Sequence, residues 1–166
     1  REAILGEQAE NSLTAIEEEN TVSTQEIQEQ IVANMRRWQK IEDSSVASTG
    51  KIIETTQNPV IRLVMEIIQR DSQMHHRIQE FIIDSLTNKA VELNPEELAD
   101  VWDAIEQHIQ IEKKTVELAQ EALGALKDRK MLVQEYLLQY LMEDENKHNH
   151  ILESLGIIKR GMYPYG

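Results

Sequence analysis

The sequence predicts an all-α protein, a four-helix bundle built from two similar pairs of helices. Aromatic residues make up only 4% of the chain, and its 166 residues include six Gly and three Pro, a composition typical of helical proteins. Apolar residues recur at steps of three and four residues along four long segments. The second half of the chain also repeats motifs of the first half. Together these observations favour one helical domain of ordinary size.

The first predicted helix covers residues 24–56 and the second covers 59–87. The stop and restart between them is Asn58-Pro59, because Asn caps a helix start and Pro suits the first helical turn. Trp38 follows the apolar spacing of the first helix. The pattern therefore predicts that its side chain fills the core.

The third predicted helix covers residues 95–123 and the fourth covers 129–155. Asn94-Pro95 repeats the start signal of the second helix. Gly156 is well placed as the C-terminal cap of the fourth helix, because Gly adopts the left-handed conformation that often ends a helix. The four predicted helices together form the bundle.

Two flanking segments lie outside the predicted bundle. Residues 157–166 are predicted to form an irregular tail. Residues 1–23 form an acidic segment with amphipathic helical spacing. The apolar residues that carry this spacing are Ile4, Leu5, Ala9, Leu13 and Ile16.

Charge and cysteine content exclude several classes of protein. The chain has 17 Lys and Arg against 30 Asp and Glu, a net charge of −13, which repels phosphate backbones and anionic membrane surfaces. We therefore expect no nucleic-acid or membrane partner. Without Cys, any metal must be held by nitrogen and oxygen ligands.

No apolar stretch approaches the roughly 20 residues that span a bilayer, and a cytoplasmic location is expected.

An internal repeat relates the two halves. Residues 41–46 and 111–116 share Ile, Glu and Val at an offset of 70. Residues 71–78 and 144–151 share Asp, His and Ile at an offset of 73. The first helix thus resembles the third, and the second resembles the fourth. This favours an internal duplication, and the alternative is chance similarity between amphipathic helices.

Five acidic and histidine residues form a candidate metal site. Glu145 and His148 are three residues apart and share one helical face. Antiparallel packing of neighbouring helices brings Glu112 to the same level, and likewise brings Glu42 to the level of His75. Glu on two helices with Glu-x-x-His on the others is the ligand set of carboxylate di-iron bundles. Carboxylate oxygen with imidazole suits iron or manganese, and also zinc.

The order and spacing of these five residues resemble the ligand pattern of rubrerythrins and other ferritin-like di-iron proteins. The resemblance covers the four predicted helices. It implies a ferritin-like bundle that binds two iron ions and reacts with dioxygen or peroxide. It also implies that Glu42 and Glu112 are terminal ligands and that Glu145 bridges the ions. His75 and His148 would each bind one of them.

The chain departs from that family at three points. Where the family has a second bridging Glu, this chain has Ser72, whose neutral hydroxyl cannot bridge two cations as a carboxylate does, although Ser72 stays a possible ligand. Another Glu of the family, one turn beyond the third-helix ligand, is replaced by Thr115. The cysteine-rich rubredoxin-type domain is absent. His108 shares a helical face with Glu112 and is a candidate replacement ligand.

The connection between the second and third predicted helices allows two topologies. The resemblance implies a long crossover, whereas few residues are free between Asn88 and Asn94. A simple up-down-up-down connection therefore stays open.

Three functions follow from these patterns. The first, implied by the resemblance, is a di-iron oxidoreductase or ferroxidase. The second is a poorly reactive or mono-metal bundle for iron handling or sensing, because Ser72 removes one bridge. The third is a non-catalytic structural or interaction module. Ferritin-like bundles commonly associate, so a homo-oligomer, first of all a dimer, is expected with all three.

Overall fold

The computed structural model describes residues 23–88 and 91–162. All regular secondary structure within these ranges is α-helical, which confirms the predicted all-α class. The helices are α1 (Thr24–Thr55), α2 (Pro59–Thr87), α3 (Pro95–Ala125) and α4 (Leu132–Met162). α1 packs against α2 to form hairpin 1, and α3 packs against α4 to form hairpin 2. Among the described helices, none combines the length and apolar character needed to cross a membrane.

Local hydrogen bonds start the first three helices where the sequence predicts. Ser23 and Glu26 form a capping box: the Ser23 hydroxyl accepts the Glu26 N–H at 3.2 Å, and the Glu26 carboxylate accepts the Ser23 N–H at 2.8 Å. Asn58 and Asn94 each accept the backbone N–H two residues ahead through Oδ1, at 2.9 Å in both cases. A proline follows each Asn at the first helical position.

The helix ends depart further from the prediction. α1 ends one residue earlier and α3 two residues later than predicted. Asp128 has a φ of 63°, in the left-handed region that Asp tolerates better than most residues, and α4 begins only at Leu132. The tail predicted to be irregular from residue 157 is helical as far as Met162. Residues 163–166 and the predicted acidic segment, apart from Ser23, lie outside the described residues.

Gly156 does not end α4, contrary to the prediction, but is buried within it. A Cβ atom at this position would lie 3.3 Å from Cη2 of Trp102 on α3, closer than an ordinary van der Waals contact. The absent side chain therefore makes room for the indole ring. Nζ of Lys159 lies 4.2 Å from the centre of the same ring, which is within cation–π distance. Gly156 thus lies at a packed position inside α4 and not at its end.

Each hairpin buries one strip of residues. The strip is largely polar in hairpin 1, whereas in hairpin 2 Glu112 is the polar member of a mainly apolar strip. Trp38, predicted to fill the core, is 50% exposed. Many other large apolar side chains are also exposed, so neither hairpin by itself encloses a full apolar core. The buried residues of the described helices are Glu42, Thr49, Ser72, Gln79 and Ile83 in hairpin 1, and Leu98, Glu112, Ala119 and Gly156 in hairpin 2.

Candidate metal centre

Hairpin 2 brings three of the predicted ligands together. Glu112 lies on α3, and Glu145 and His148 lie one helical turn apart on α4. One ligand atom from each of the three lies within 4.8 Å of the other two. Nδ1 of His148 is 3.5 Å from Oε2 of Glu112 and 3.5 Å from Oε2 of Glu145. Two carboxylates and one imidazole therefore face a common point between α3 and α4.

Glu112 is the buried member of this group, with only 8% of its surface exposed. Its Oε2 atom is buried and has no hydrogen-bond partner among the described residues. A buried carboxylate oxygen that accepts nothing is costly unless a proton or a cation neutralises it. The Glu145 carboxyl group lies beside it, so the two groups can share a proton, and a metal ion could take the place of that proton.

His108 is the second imidazole close to this site. Its Nε2 atom lies 2.8 Å from Oε1 of Glu112, one turn along α3, while its side chain stays 55% exposed. His108 thus contacts Oε1 of Glu112, whereas His148 faces Oε2 of the same carboxylate. His108 can therefore hold Glu112 in position or, after a change of rotamer, supply a further nitrogen ligand.

Thr115 links the two carboxylate residues. Its hydroxyl oxygen is 2.7 Å from the backbone carbonyl of Glu112 and 3.0 Å from Oε2 of Glu145, and its single hydrogen can serve only one of them at a time. In the sequence, Thr115 is noticeable only as a replacement for a family carboxylate, and its contact with Glu145 is not predicted. The signal that could have identified it is its three-residue spacing from Glu112, which places both on one helical face.

Asp144 and Lys147 lie on the far side of the His148 ring. Oδ2 of Asp144 is 3.8 Å from Nε2 of His148, and Lys147 forms an ion pair with the same carboxylate. A carboxylate near the second nitrogen of a ligand histidine favours the tautomer that leaves the first nitrogen free to bind. This arrangement is suited to directing Nδ1 of His148 toward the two glutamates.

The pKa of the Glu145 carboxyl lies below its ordinary value. The largest cause is the adjacent Glu112 carboxyl group, which lowers the pKa of Glu145 by holding the proton that the two groups can share, while burial acts in the opposite direction. Hydrogen bonds from Thr115 and His148 lower the pKa further. Glu145 is therefore an anionic oxygen donor at neutral pH.

Hairpin 1 brings two of the predicted ligands together. Nδ1 of His75 is 3.3 Å from Oε1 of Glu42, and the indole N–H of Trp38 donates to the same oxygen at 2.8 Å. The hydroxyl of Ser72, a possible ligand in the sequence, lies 2.9 Å from the hydroxyl of Ser45, and its single hydrogen can go either to Ser45 or to the Glu42 carboxylate. A carboxylate and an imidazole are thus present without a second carboxylate.

Neutral donors surround the buried Glu42 carboxylate. Burial raises the pKa of Glu42, but hydrogen bonds from Ser72 and Trp38 and the proximity of His75 together lower it below its ordinary value. The carboxylate is therefore ionised and already hydrogen-bonded without any cation.

The two hairpins arrange their polar residues in the same way. Residues 29–49 and 99–119 have the same order of buried, half-buried and exposed positions. The acid–histidine contact recurs as well, at the offsets of 70 and 73 that relate the two halves of the sequence. The similar burial adds a structural likeness to the sequence repeat, and the internal duplication stays a prediction.

Two equivalent positions carry different chemistry. Ser72 stands where hairpin 2 has Glu145, and Trp38 stands where it has His108. Neutral groups in hairpin 1 thus replace one carboxylate and one imidazole. Within single hairpins, the described residues form a three-ligand group only in hairpin 2.

Comparisons with protein-family models, with curated proteins and with solved structures found no match. The class of protein is therefore defined by the fold and the site alone. The described part of the chain is all-α, with four long helices, and hairpin 2 carries a group of two carboxylates and a histidine that is compatible with metal binding.

Proposed function

We propose that this chain binds a divalent transition-metal ion, iron(II) first of all, through Glu112, Glu145 and His148, and that its function is to handle iron. The observation that carries the proposal is the buried, unpartnered Oε2 of Glu112, which faces a second carboxylate and an imidazole nitrogen. Such an atom is expected where a cation completes the site.

The donor set narrows the choice of metal. Two carboxylate oxygens and one imidazole nitrogen suit iron or manganese and also accept zinc. Three protein ligands leave coordination positions that water or dioxygen can take, as in reactive metal sites. We therefore propose iron as the ion bound, with manganese and zinc as competitors.

Each residue has a separate part in holding the ion. Glu145 supplies an anionic oxygen ligand at neutral pH, because its pKa is lowered. Glu112 supplies an oxygen that has no other partner. His148 presents Nδ1, with Asp144 near the other ring nitrogen.

A second candidate function is the di-iron oxidoreductase or ferroxidase that the sequence resemblance implies. The observation in its favour is hairpin 1, where Glu42 and His75 repeat the acid–histidine contact of hairpin 2. Ferrous iron would be the substrate: two Fe²⁺ ions supply two electrons that, with two protons, reduce dioxygen to hydrogen peroxide. The replacement of one bridging carboxylate by Ser72 favours the mono-metal function over this one.

Anaerobic iron loading of the full chain separates these functions. The metal content is measured after removal of free iron, the protein is then exposed to dioxygen, and oxidation is followed by absorbance. His148→Ala and His75→Ala form a matched pair, because the two histidines occupy equivalent positions.

We expect one iron per chain, bound by the parent chain and by His75→Ala but not by His148→Ala. The di-iron function would be supported instead if the parent chain bound two irons and oxidised them rapidly, and if both variants lost bound iron. No retained metal in the parent chain would reject both and leave the structural or interaction module.

A further inference from the structure

An apolar stripe that includes two arginines runs along α2. Its residues follow alternating steps of four and three, the spacing of a coiled-coil seam. Leu63, Met74 and Phe81 are 43%, 52% and 59% exposed. We call this set the α2 outer stripe, and its members are Leu63, Ile67, Arg70, Met74, Arg77 and Phe81.

The α2 outer stripe lies on the face of α2 that points away from α1. Ser72 and Gln79 are buried in the strip between α1 and α2. Met74 and Phe81 each follow one of these residues by two positions, so they lie about 200° further round the helix. Packing of α1 on α2 therefore leaves the stripe uncovered.

The arginines determine what kind of surface can cover the stripe. Arg70 and Arg77 are seven residues apart, at equivalent positions of the seam, and no ion pair between described residues involves either of them. A second copy of the stripe would bring like charges together across a desolvated contact, which is unfavourable. An acidic amphipathic segment would satisfy both the apolar residues and the arginines.

The beginning of this chain has that chemistry. Residues 1–22 contain six Glu and one basic residue, Arg1. Their apolar residues include Leu5, Ala9, Leu13 and Ile16, at steps of three and four. A second exposed apolar stripe of hairpin 1 runs along α1 through Ile27, Ile31 and Trp38. The seam position between Ile31 and Trp38 is Asn34, so this stretch has no cation in the seam and lacks the charge complementarity.

Residues 1–22 also join the described structure close to one end of the α2 outer stripe. A groove beside the first turns of α1 is lined by Gln25 and Val32 together with Leu86 at the end of α2. Ser23, at the start of α1, therefore lies close to the C-terminal end of α2. About five extended residues reach roughly 17 Å, enough to pass around a helix about 10 Å wide. Residues 5–16, which carry the apolar spacing, need about 17 Å as a helix, which fits within the length of the stripe.

We propose that residues 1–22 pack as an amphipathic helix along the α2 outer stripe of their own chain, parallel to α2, with glutamates beside Arg70 and Arg77. This docking gives the acidic segment a partner surface within hairpin 1. It is independent of metal binding.

Paramagnetic labelling of the full chain tests this docking. The chain has no Cys, so Ser12→Cys accepts a nitroxide at a single site. Broadening is measured at the methionine methyl groups, which include Met74 on the stripe, Met35 on α1 and Met142 in hairpin 2. We expect the strongest broadening at Met74. Uniformly weak broadening, or the strongest broadening at either of the other two, would overturn the proposal.

Two controls make the result specific. In Arg70→Glu/Arg77→Glu the broadening at Met74 should be lost, whereas the matched change Lys40→Glu/Lys51→Glu on exposed positions of α1 should preserve it. Nitroxide-labelled chain is also mixed with label-free, isotope-enriched chain. Broadening at Met74 of the enriched chain in this mixture would mean that the segment docks on a second copy, which contradicts docking within one chain.

Discussion

Glu42 and Glu112 occupy equivalent positions on α1 and α3, but their surroundings differ. Trp38 and His75 both contact Oε1 of Glu42, and Ser72 adds a further donor. Oε2 of Glu112 accepts no hydrogen bond from the described residues. The energy that a cation could gain is therefore greater at Glu112, because binding at Glu42 would have to displace existing hydrogen bonds.

Substitutions on α4 should weaken metal binding, whereas a substitution on α2 should not. Glu145→Ala or His148→Ala should weaken iron(II) binding by more than about 100-fold, since even residues behind the ligands commonly contribute 10- to 100-fold. Ser72→Ala should leave binding almost unchanged, because its hydroxyl is hydrogen-bonded to Ser45. Calorimetric titration under anaerobic conditions measures all three. Equal retention of metal by the three variants would mean that the site is wrongly assigned.

Thr115 should tune the Glu145 carboxyl. Thr115→Val removes a hydroxyl that lowers the pKa of Glu145, so that pKa should rise toward its ordinary value. Metal affinity should fall about 10-fold for a separate reason, because the hydroxyl also orients the Glu145 carboxylate. The pKa is measured by NMR titration of the metal-free protein. Thr55→Val is the matched control, because the Thr55 hydroxyl bonds only to backbone carbonyls of its own helix. Similar shifts in both variants would contradict a specific role for Thr115.

Part of the candidate site in hairpin 2 is predictable from the sequence. Glu112, Glu145 and His148 were predicted to share one level, since the spacing of each helix and the position of its turn are visible in the sequence. The link from Thr115 to Glu145 depends on how α3 and α4 rotate against each other, which no local pattern specifies. The unpartnered oxygen of Glu112 also depends on that rotation.

At the scale of the elements, helix starts were easier to predict than helix ends. Asn58 and Asn94 act through hydrogen bonds to residues two or three positions ahead, so the signal is local. The fate of Gly156 depends on Trp102, which is far away in the sequence. Glycine commonly ends a helix, but Gly156 lies inside α4 because of a contact that the local sequence does not reveal.

The capping box of α1 should respond to acid. The backbone N–H of Ser23, followed by its hydroxyl, lowers the pKa of Glu26 below its ordinary value. Because the folded pKa is lower than the unfolded one, the stabilisation is complete above the ordinary value and is lost as pH falls through the lowered pKa. NMR shifts of residues 24–27 should show this titration, and Glu26→Gln should abolish it. Persistence of the titration in Glu26→Gln would assign it to another group.

A larger side chain at Gly156 should disturb the packing of α3 on α4. Gly156→Leu would collide with the Trp102 ring, and overpacking of this kind costs about 1–3 kcal/mol in the free energy of unfolding. Gly124→Leu is the control, because a Cβ atom there meets nothing within 4 Å. Denaturant unfolding compares the two. Equal stability would show that Trp102 moves aside without cost.

At the scale of the whole molecule, exposed apolar surface and acidic charge act in opposite directions. Each hairpin exposes large apolar side chains, including Ile41 at 65% and Leu118 at 64%. The net charge of −13 makes copies of the chain repel one another. Association should therefore depend on salt, because salt screens the repulsion and leaves the apolar contact.

Sedimentation velocity should detect this balance. We expect the full chain to shift from monomer toward dimer as its concentration and the salt concentration rise. The shift follows from screening of repulsion between two acidic copies. A monomer under all these conditions would contradict the predicted homo-oligomer.

The chain has two tryptophans, Trp38 in hairpin 1 and Trp102 in hairpin 2. The Trp38 indole donates to Glu42, whereas the Trp102 ring touches Gly156 and lies under Lys159. Intrinsic fluorescence therefore contains one signal from each hairpin, and replacing either tryptophan by Phe isolates the other. If the two single-tryptophan proteins unfold at the same denaturant concentration, the hairpins belong to one cooperative unit, as a single bundle requires. Separate transitions would make each hairpin an independently folding element.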